Sequence, residues 1–183
     1  MSGQRSIIIG IAGKAGSGKT TLANFLKTEF ENRQRKACII NYGDLVKFIA
    51  KEYFNWSGEK DEIGRSLLQK VGTEYGRNKT DENIWTDIVI KCSGVLENEY
   101  NVIIVADCRF PNEIERWEKL GKEMISIKII RGEYENNLTQ EQKAHASETA
   151  LDSYLNFTYT VENLGGLNEF KDAAKAIVKD ILY

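Results

Sequence analysis

The residues "GKAGSGKT", Gly13 to Thr20, match the pattern G-x-x-x-x-G-K-[ST], with Gly13, Gly18, Lys19 and Thr20 in its fixed positions. The residue types explain the spacing. Glycines remove the Cβ atoms that would hold a phosphate chain away from backbone N–H groups, and the start of a helix adds partial positive charge. Gly13, Ala15, Gly16, Ser17 and Gly18 are therefore expected to cradle phosphates, with Thr21 beside them at the helix start. Lys19 is expected to reach the β- and γ-phosphates, and Thr20 to offer its hydroxyl to Mg²⁺. The implied ligand is a nucleoside triphosphate.

Such a loop alone does not separate a kinase from a switch GTPase or a motor ATPase. A GTPase should carry a base-selecting N-K-x-D after a middle strand, and "NKTD", Asn78 to Asp81, sits instead in helical pattern. "VIIVAD" ends in Asp107, which is placed like an acid that holds Mg²⁺ through water or, more plainly, like a loop cap. Arg109 follows at once in "DCR" and aims a guanidinium into the same crevice, at the C-terminal end of a strand. Arg65 and Arg77 add two planar forks suited to phosphate. A sugar hydroxyl must lose its proton to attack and needs a carboxylate base. A phosphate acceptor, with a second pKa of about 6, is already largely ionised and needs arginines. Asp44, in "NYGDLVKF", keeps the hydroxyl option open or caps the helix that follows.

Positioning these groups requires alternating strands and helices. "SIIIGIA" precedes the loop as a β-branched run, and "TTLANFLKTEF" follows with Leu22, Phe25, Leu26 and Phe30 at helical spacing. Further strand-like runs are "KACIINY", "NVIIVAD", "MISIKII" and "FTYTV", with helical patterns between most of them. That alternation predicts an α/β fold with a parallel sheet covered on both faces. From residue 44 to about 97 an all-helical stretch interrupts the alternation, and in it Ile84, Trp85, Ile88, Val89 and Cys92 are expected to share one face. A polar stretch from about 131 to 154 precedes the last strand. Pro111 fits the first turn of "PNEIERWEKL".

A chain of 183 residues with 42% hydrophobic content supports one domain with a real core. The net charge of −2 leaves no basic footprint, so nucleic-acid binding is disfavoured and small-molecule partners are expected. Cys38, Cys92 and Cys108 are odd in number and lack C-x-x-C spacing, which points to reduced thiols in a cytoplasmic setting without zinc. No apolar run reaches the length of a membrane span, and no signal peptide is evident.

In this order, "GKAGSGKTTLA", "IGRSLLQKVGTEYGR", "DCRFPNEIERWEKLG" and "HASETALD" resemble the deoxynucleoside monophosphate kinases of phages and some bacteria, within the P-loop nucleoside monophosphate kinase group. The resemblance covers essentially the whole chain. It implies a five-stranded parallel sheet ordered 2-3-1-4-5, a donor site at the P-loop, an acceptor-binding helical insertion at about 44–97 and a lid at about 131–154. It also implies γ-phosphoryl transfer from ATP, with Mg²⁺, to a deoxynucleoside monophosphate. Carried over by position, Arg65, Gln69 and Arg77 line the acceptor pocket, and Asp44, from its place beyond the second strand, stands as a base or sugar-contacting acid. Arg109 holds the acceptor phosphate, Arg131 opens the lid, and His145, Ser147 and Glu148 match the family's H-x-S-E stretch after the lid, with Glu148 the substrate-binding candidate among them. Asn163 or nearby main chain is the expected reader of adenine. The lid departs from many nucleotide kinases in holding only Arg131, Lys143 and His145 as cations. A kinase for another small phosphorylated acceptor, such as phosphomevalonate or dephospho-coenzyme A, and a nucleotide-binding switch stand as alternatives. A homodimer is left open.

Overall fold

The computed structural model describes residues 6–132, 138–164 and 166–183. Five strands, β1 (Ile7–Ala12), β2 (Ala37–Ile40), β3 (Val102–Cys108), β4 (Met124–Arg131) and β5 (Tyr159–Asn163), form one parallel sheet in the order β2-β3-β1-β4-β5. This is the expected order. β1 lies at the centre because its β-branched residues can be buried on both faces: Ile9 pairs with Ile104 on one side and Ile125 on the other.

The two-residue period of the strands builds two cores. Ile9 and Ile11, with Val102, Ile104 and Ala106, face α1 (Lys19–Glu31) and α8 (Leu167–Leu182), where Leu22, Leu26, Phe30 and Val178 are fully buried. Each of these large side chains contributes about 1.5–3 kcal/mol by leaving water. Ile8, Ile103 and Val105 face the opposite layer, α2 (Gly43–Tyr53), α4 (Ile84–Leu96) and α5 (Asn112–Lys119). A buried relay ties that layer together. The Trp117 indole N–H donates to the Tyr42 hydroxyl at 2.7 Å, and that hydroxyl donates to the Glu113 carbonyl at 2.6 Å.

The expected helical insertion consists of α2, α3 (Glu62–Gln69), a π-helical segment (Lys70–Asn78) that continues α3, and α4. Pro111, with helical φ −54° and ψ −41°, opens the first turn of α5, its carbonyl accepting from the Glu115 N–H at 3.0 Å. Two local expectations are corrected. Cys92 is exposed, and the inward face of α4 is Trp85, Thr86, Val89, Ile90 and Ser93, because the turn is set one residue away from the apolar positions chosen by spacing. Asn163 ends β5 instead of following it. Between β4 and β5 lie α6 (Gln140–Ala144) and α7 (Ala146–Thr149), while residues 133–137 of the expected lid fall outside the described residues. No helix is long and apolar enough to cross a membrane among the described residues.

Candidate active site

The loop between β1 and α1 is held by its neighbours. Gly18 has φ 105°, a left-handed conformation that costs glycine least, and a Cβ there would press against Phe170 and the Asn163 side chain. Asn163 donates its side-chain amide to the Ser17 carbonyl at 2.8 Å, and Arg131 donates to the Gly16 carbonyl at 2.7 Å. Asn163 thus braces the loop, and adenine recognition from it is not needed to explain its place. The Lys19 ammonium curls over the loop and donates to the carbonyls of Gly13 at 2.5 Å and Lys14 at 2.9 Å. Burial, and then the charge of Arg109, lower its pKa to about 7, against the opposing pull of Glu148 and Asp107.

A cleft of about 760 Å³ runs from this loop to the helical insertion. Ala15, Gly16, Gly18, Lys19, Thr20 and Thr21 line its loop end. Gly13 and Ser17 do not; they lie behind the loop, on a smaller cavity of about 150 Å³. At the far end Leu68 of α3, Gly72 of the π-helical segment, Trp85 of α4 and Phe110, just after β3, form an apolar slot. The motif "GTEYGR" becomes legible here: Gly76 has no Cβ because the Trp85 indole rests against it, and the indole N–H donates to the Gly72 carbonyl at 2.7 Å.

The cleft is strongly cationic. Lys19, Lys47, Lys60, Arg65, Arg77, Arg109 and Arg131 line it against Asp107, Glu113 and Glu148. Lys47 and Lys60 were not singled out by spacing. Lys60 sits in the connection before α3, and burial and then Lys47, Arg65 and Arg109 push its pKa down. Arg65 donates through Nε to the Lys60 carbonyl at 2.8 Å, and its terminal amino groups have no protein partner among the described residues. Gln69 lines the cleft and donates to the Gln142 carbonyl at 3.3 Å.

Arg77 differs from Arg65. It is buried, donates through Nη1 to the Glu82 carbonyl at 2.7 Å and the Asn112 side chain at 3.2 Å, pairs through Nη2 with Glu113, and lies 4.1 Å from the Phe110 ring centroid. Both of its terminal nitrogens are engaged by protein, so it shapes the slot wall and supports Phe110. Glu113, also unforeseen, accepts from the N–H groups of Arg109 at 2.5 Å and Phe110 at 3.1 Å. Burial raises its pKa to about 7 despite the pull of Arg77. An acid two residues after Pro111, at a helix start, was the signal that could have found it.

Among the described residues, each of the carboxylates lining the cleft already accepts hydrogen bonds from the protein. Asp107 accepts from the N–H groups of Tyr42 at 2.8 Å and Gly43 at 2.9 Å, capping α2, and burial raises its pKa although these bonds and Lys47 oppose the shift. Glu148 accepts from the Ala15 N–H at 2.8 Å and from Arg109 at 2.5 Å. Asp44 does not line the cleft; it accepts from Asn41 and pairs with Lys47 at 2.8 Å. His145 caps α7, its Nδ1 accepting from the Ser147 N–H at 3.2 Å, and burial lowers its pKa.

Among the described residues no group of three or more His, Cys, Asp or Glu could hold a metal by itself. A magnesium ion that arrives with phosphate oxygens and water asks less of the protein. Thr20, exposed on the cleft, and Asp107, whose two oxygens each accept one N–H and keep a further lone pair, suit that arrangement.

Residues 9–143 match the family described as AAA domain (AAA_18). The chain belongs to that family. Within the AAA domain match lie the phosphate loop, Arg65, Arg77, Asp107 and Arg109, whereas Glu148 and Asn163 lie beyond it. Two viral proteins are similar in sequence. The deoxynucleoside-5'-monophosphate kinase of Escherichia phage T5 is 26% identical over 58% of this chain, a match that spans only 42% of that protein's length. A protein of Acanthamoeba polyphaga mimivirus named "Putative deoxynucleotide monophosphate kinase" is 26% identical over 90% of this chain and 92% of its own. The APS kinase of Mycobacterium tuberculosis, solved with AMPPNP and APS, shares the fold at a TM-score of 0.50 and 8% identity, covering 98% of this chain and 99% of that one.

Proposed function

We propose that the protein transfers the γ-phosphoryl group of ATP to a deoxynucleoside monophosphate, giving ADP and a deoxynucleoside diphosphate. The carrying observation is one cleft with a phosphate loop at one end, an apolar, aromatic-walled slot at the other, a cationic middle and, among the described residues, only carboxylates already engaged by the protein. The names of the two viral relatives support the acceptor class.

The triphosphate lies along the amides from Ala15 to Thr21, and its negative charge restores the full positive charge of Lys19. Thr20 and Asp107 would hold Mg²⁺, which would supply charge neutralisation at the phosphates. The acceptor monophosphate enters the cationic middle of the cleft, where Arg109, Arg65 and Lys60 are placed to hold it. Its base occupies the slot against Phe110 and Trp85. Transfer then needs alignment and charge stabilisation more than a base, since the acceptor oxygen is already ionised at neutral pH. The segment from 131 to 154 acts as the lid that keeps water from the transferred group.

A coupled assay of ADP release, run with each common nucleoside monophosphate, deoxynucleoside monophosphate and nucleoside, tests the proposal. Release should depend on a deoxynucleoside monophosphate. Release without any acceptor would place the protein among switches or ATPases, and turnover of nucleosides would restore a hydroxyl acceptor.

A further inference from the structure

The Glu148 carboxylate stands where the two halves of the cleft meet. Its Oε2 accepts from the N–H of Ala15, part of the phosphate loop, and its Oε1 accepts from Arg109, with the Ser147 carbonyl 3.3 Å from the same guanidinium nitrogen. A resident anion therefore bridges the donor cradle and an acceptor-side arginine, which are the partners a phosphoryl group in transit needs. The side chain is nearly buried at 9% exposure, against 25% for Arg109, so water screens the contact poorly. A phosphate cannot take the Ala15 amide while the carboxylate holds it, because two anions would share one donor in a poorly screened space.

We infer that Glu148 is a latch that mimics the transferred phosphoryl group and couples donor binding to acceptor binding. The inference rests on the reading of the cleft as a site for two phosphorylated substrates. With the latch engaged, the donor lacks the Ala15 amide and the acceptor lacks Arg109. Whichever substrate binds first displaces the carboxylate at the expense of its own affinity, and the second meets a site already open. If f is the fraction of molecules with the latch open, each substrate alone binds weaker by 1/f, and the second binds tighter by up to the same factor. Coupling is reciprocal, so either order gives the same factor. The carboxylate can swing away about its own side-chain torsions, while the His145 cap keeps the first turn of α7 in place beside the loop.

The test is calorimetric binding of AMPPNP and of the four common deoxynucleoside monophosphates, each alone and together, to wild type, Glu148→Ala and the near-isosteric Glu148→Gln. Wild type should show positive coupling, on the order of 5- to 150-fold. In Glu148→Ala, AMPPNP alone should bind more tightly by about the wild-type coupling factor, while the coupling falls toward one; Glu148→Gln should move the same way by less. Glu99→Gln, which cuts an exposed pair with Lys36 away from the cleft, should leave both quantities as in wild type. Weaker AMPPNP binding by both Glu148 variants, or coupling that survives in both, overturns the latch while leaving the nucleotide site in place. If AMPPNP binds and no monophosphate does, the acceptor reading falls, and tightening of AMPPNP alone still decides for the latch or against it. Absence of AMPPNP binding to wild type overturns the donor site and the latch together.

Discussion

Arg77 and Glu113 form an ion pair that is almost wholly buried, with side-chain exposures of 7% and 3%, whereas Arg65 reaches the same cleft with its terminal amino groups unpartnered among the described residues. Two arginines that look equivalent in the sequence therefore have different consequences. Arg77→Ala leaves a buried carboxylate uncompensated and should cost about 3–5 kcal/mol of stability, besides releasing Phe110. Arg65→Ala should leave the melting temperature nearly unchanged and reduce acceptor-dependent turnover by roughly 2–4 kcal/mol in transition-state terms, with ATP affinity little altered. Thermal melts beside steady-state kinetics with the acceptor varied check both. An Arg65 variant with lowered ATP affinity would move this residue to the donor side.

Lys19 and Glu113 make opposite contributions to the pH dependence of stability in the ligand-free protein. Lys19 has a folded pKa of about 7, below the ordinary lysine value of 10.5, so from pH 7 to 10.5 the unfolded chain binds more protons and stability rises with pH. Glu113 has a folded pKa of about 7, above the ordinary 4.5, so from pH 4.5 to 7 the folded chain binds more protons and stability falls as pH rises. Lys19→Ala should lose at least roughly a hundredfold in turnover while remaining folded. Its melting temperature relative to wild type should be highest near pH 7 and decline toward pH 10. A difference that stays flat across that range would show that burial does not disfavour the ammonium.

Legibility followed the range of the forces involved. The loop from Gly13 to Thr20, the strand that precedes it and the helix that follows are local patterns, and the sheet order came with the resemblance. Positions set by packing between distant segments were harder to read. Cys92 belongs by letter to the apolar spacing of α4, but neighbouring elements turn that helix so that Ile90 and Ser93 point inward instead. Asp44, expected beside the acceptor, pairs instead with Lys47 three residues on, and it is Lys47 that borders the cleft. Nothing near Lys60 marks it as a cleft residue. Arg77 looked like a phosphate fork because its partners, Glu82, Asn112 and Glu113, come from other segments. The π-helical segment hid from a search at the α-helical period, since its wider turn changes which residues share a face.

The contact of Gly76 with Trp85 gives a prediction about the slot. A Cβ at position 76 would fall within 2.5–2.8 Å of three indole atoms, and the backbone of the π-helical segment cannot yield without moving Gly72, which also borders the slot. Gly76→Ala should cost about 1–3 kcal/mol in stability and raise the acceptor KM more than it lowers kcat. Trp85 fluorescence reports the displacement directly. If the spectrum and the KM both match wild type, the slot is not formed by this contact.

Gln142 supports the last prediction. Although it lies in the polar stretch expected to be a lid, it is 2% exposed, and its side-chain amide donates to the Glu62 carbonyl at 2.9 Å and the Ser66 hydroxyl at 3.0 Å, both on α3. Its carbonyl accepts from Gln69 at 3.3 Å. The capping box it forms with Thr139 starts α6, so one side chain both begins the helix and docks it onto the insertion. Other anchors of the segment include Glu148 on the loop and on Arg109, Asp152 on Lys14, and Leu151 and Tyr154 against the core. Helices of five and four residues do not hold themselves together. Amides from 138 to 154 should therefore exchange faster than those of the central strands without ligand, and slow markedly when ATP analogue and acceptor are both bound. Gln142→Ala should speed the ligand-free exchange further. It should also raise the ratio of ATP hydrolysis to transfer by roughly tenfold, since a loosened cover admits water to the γ-phosphate. Exchange in the variant equal to wild type, or protection in this segment that ignores both substrates, would assign the moving element to the helical insertion instead.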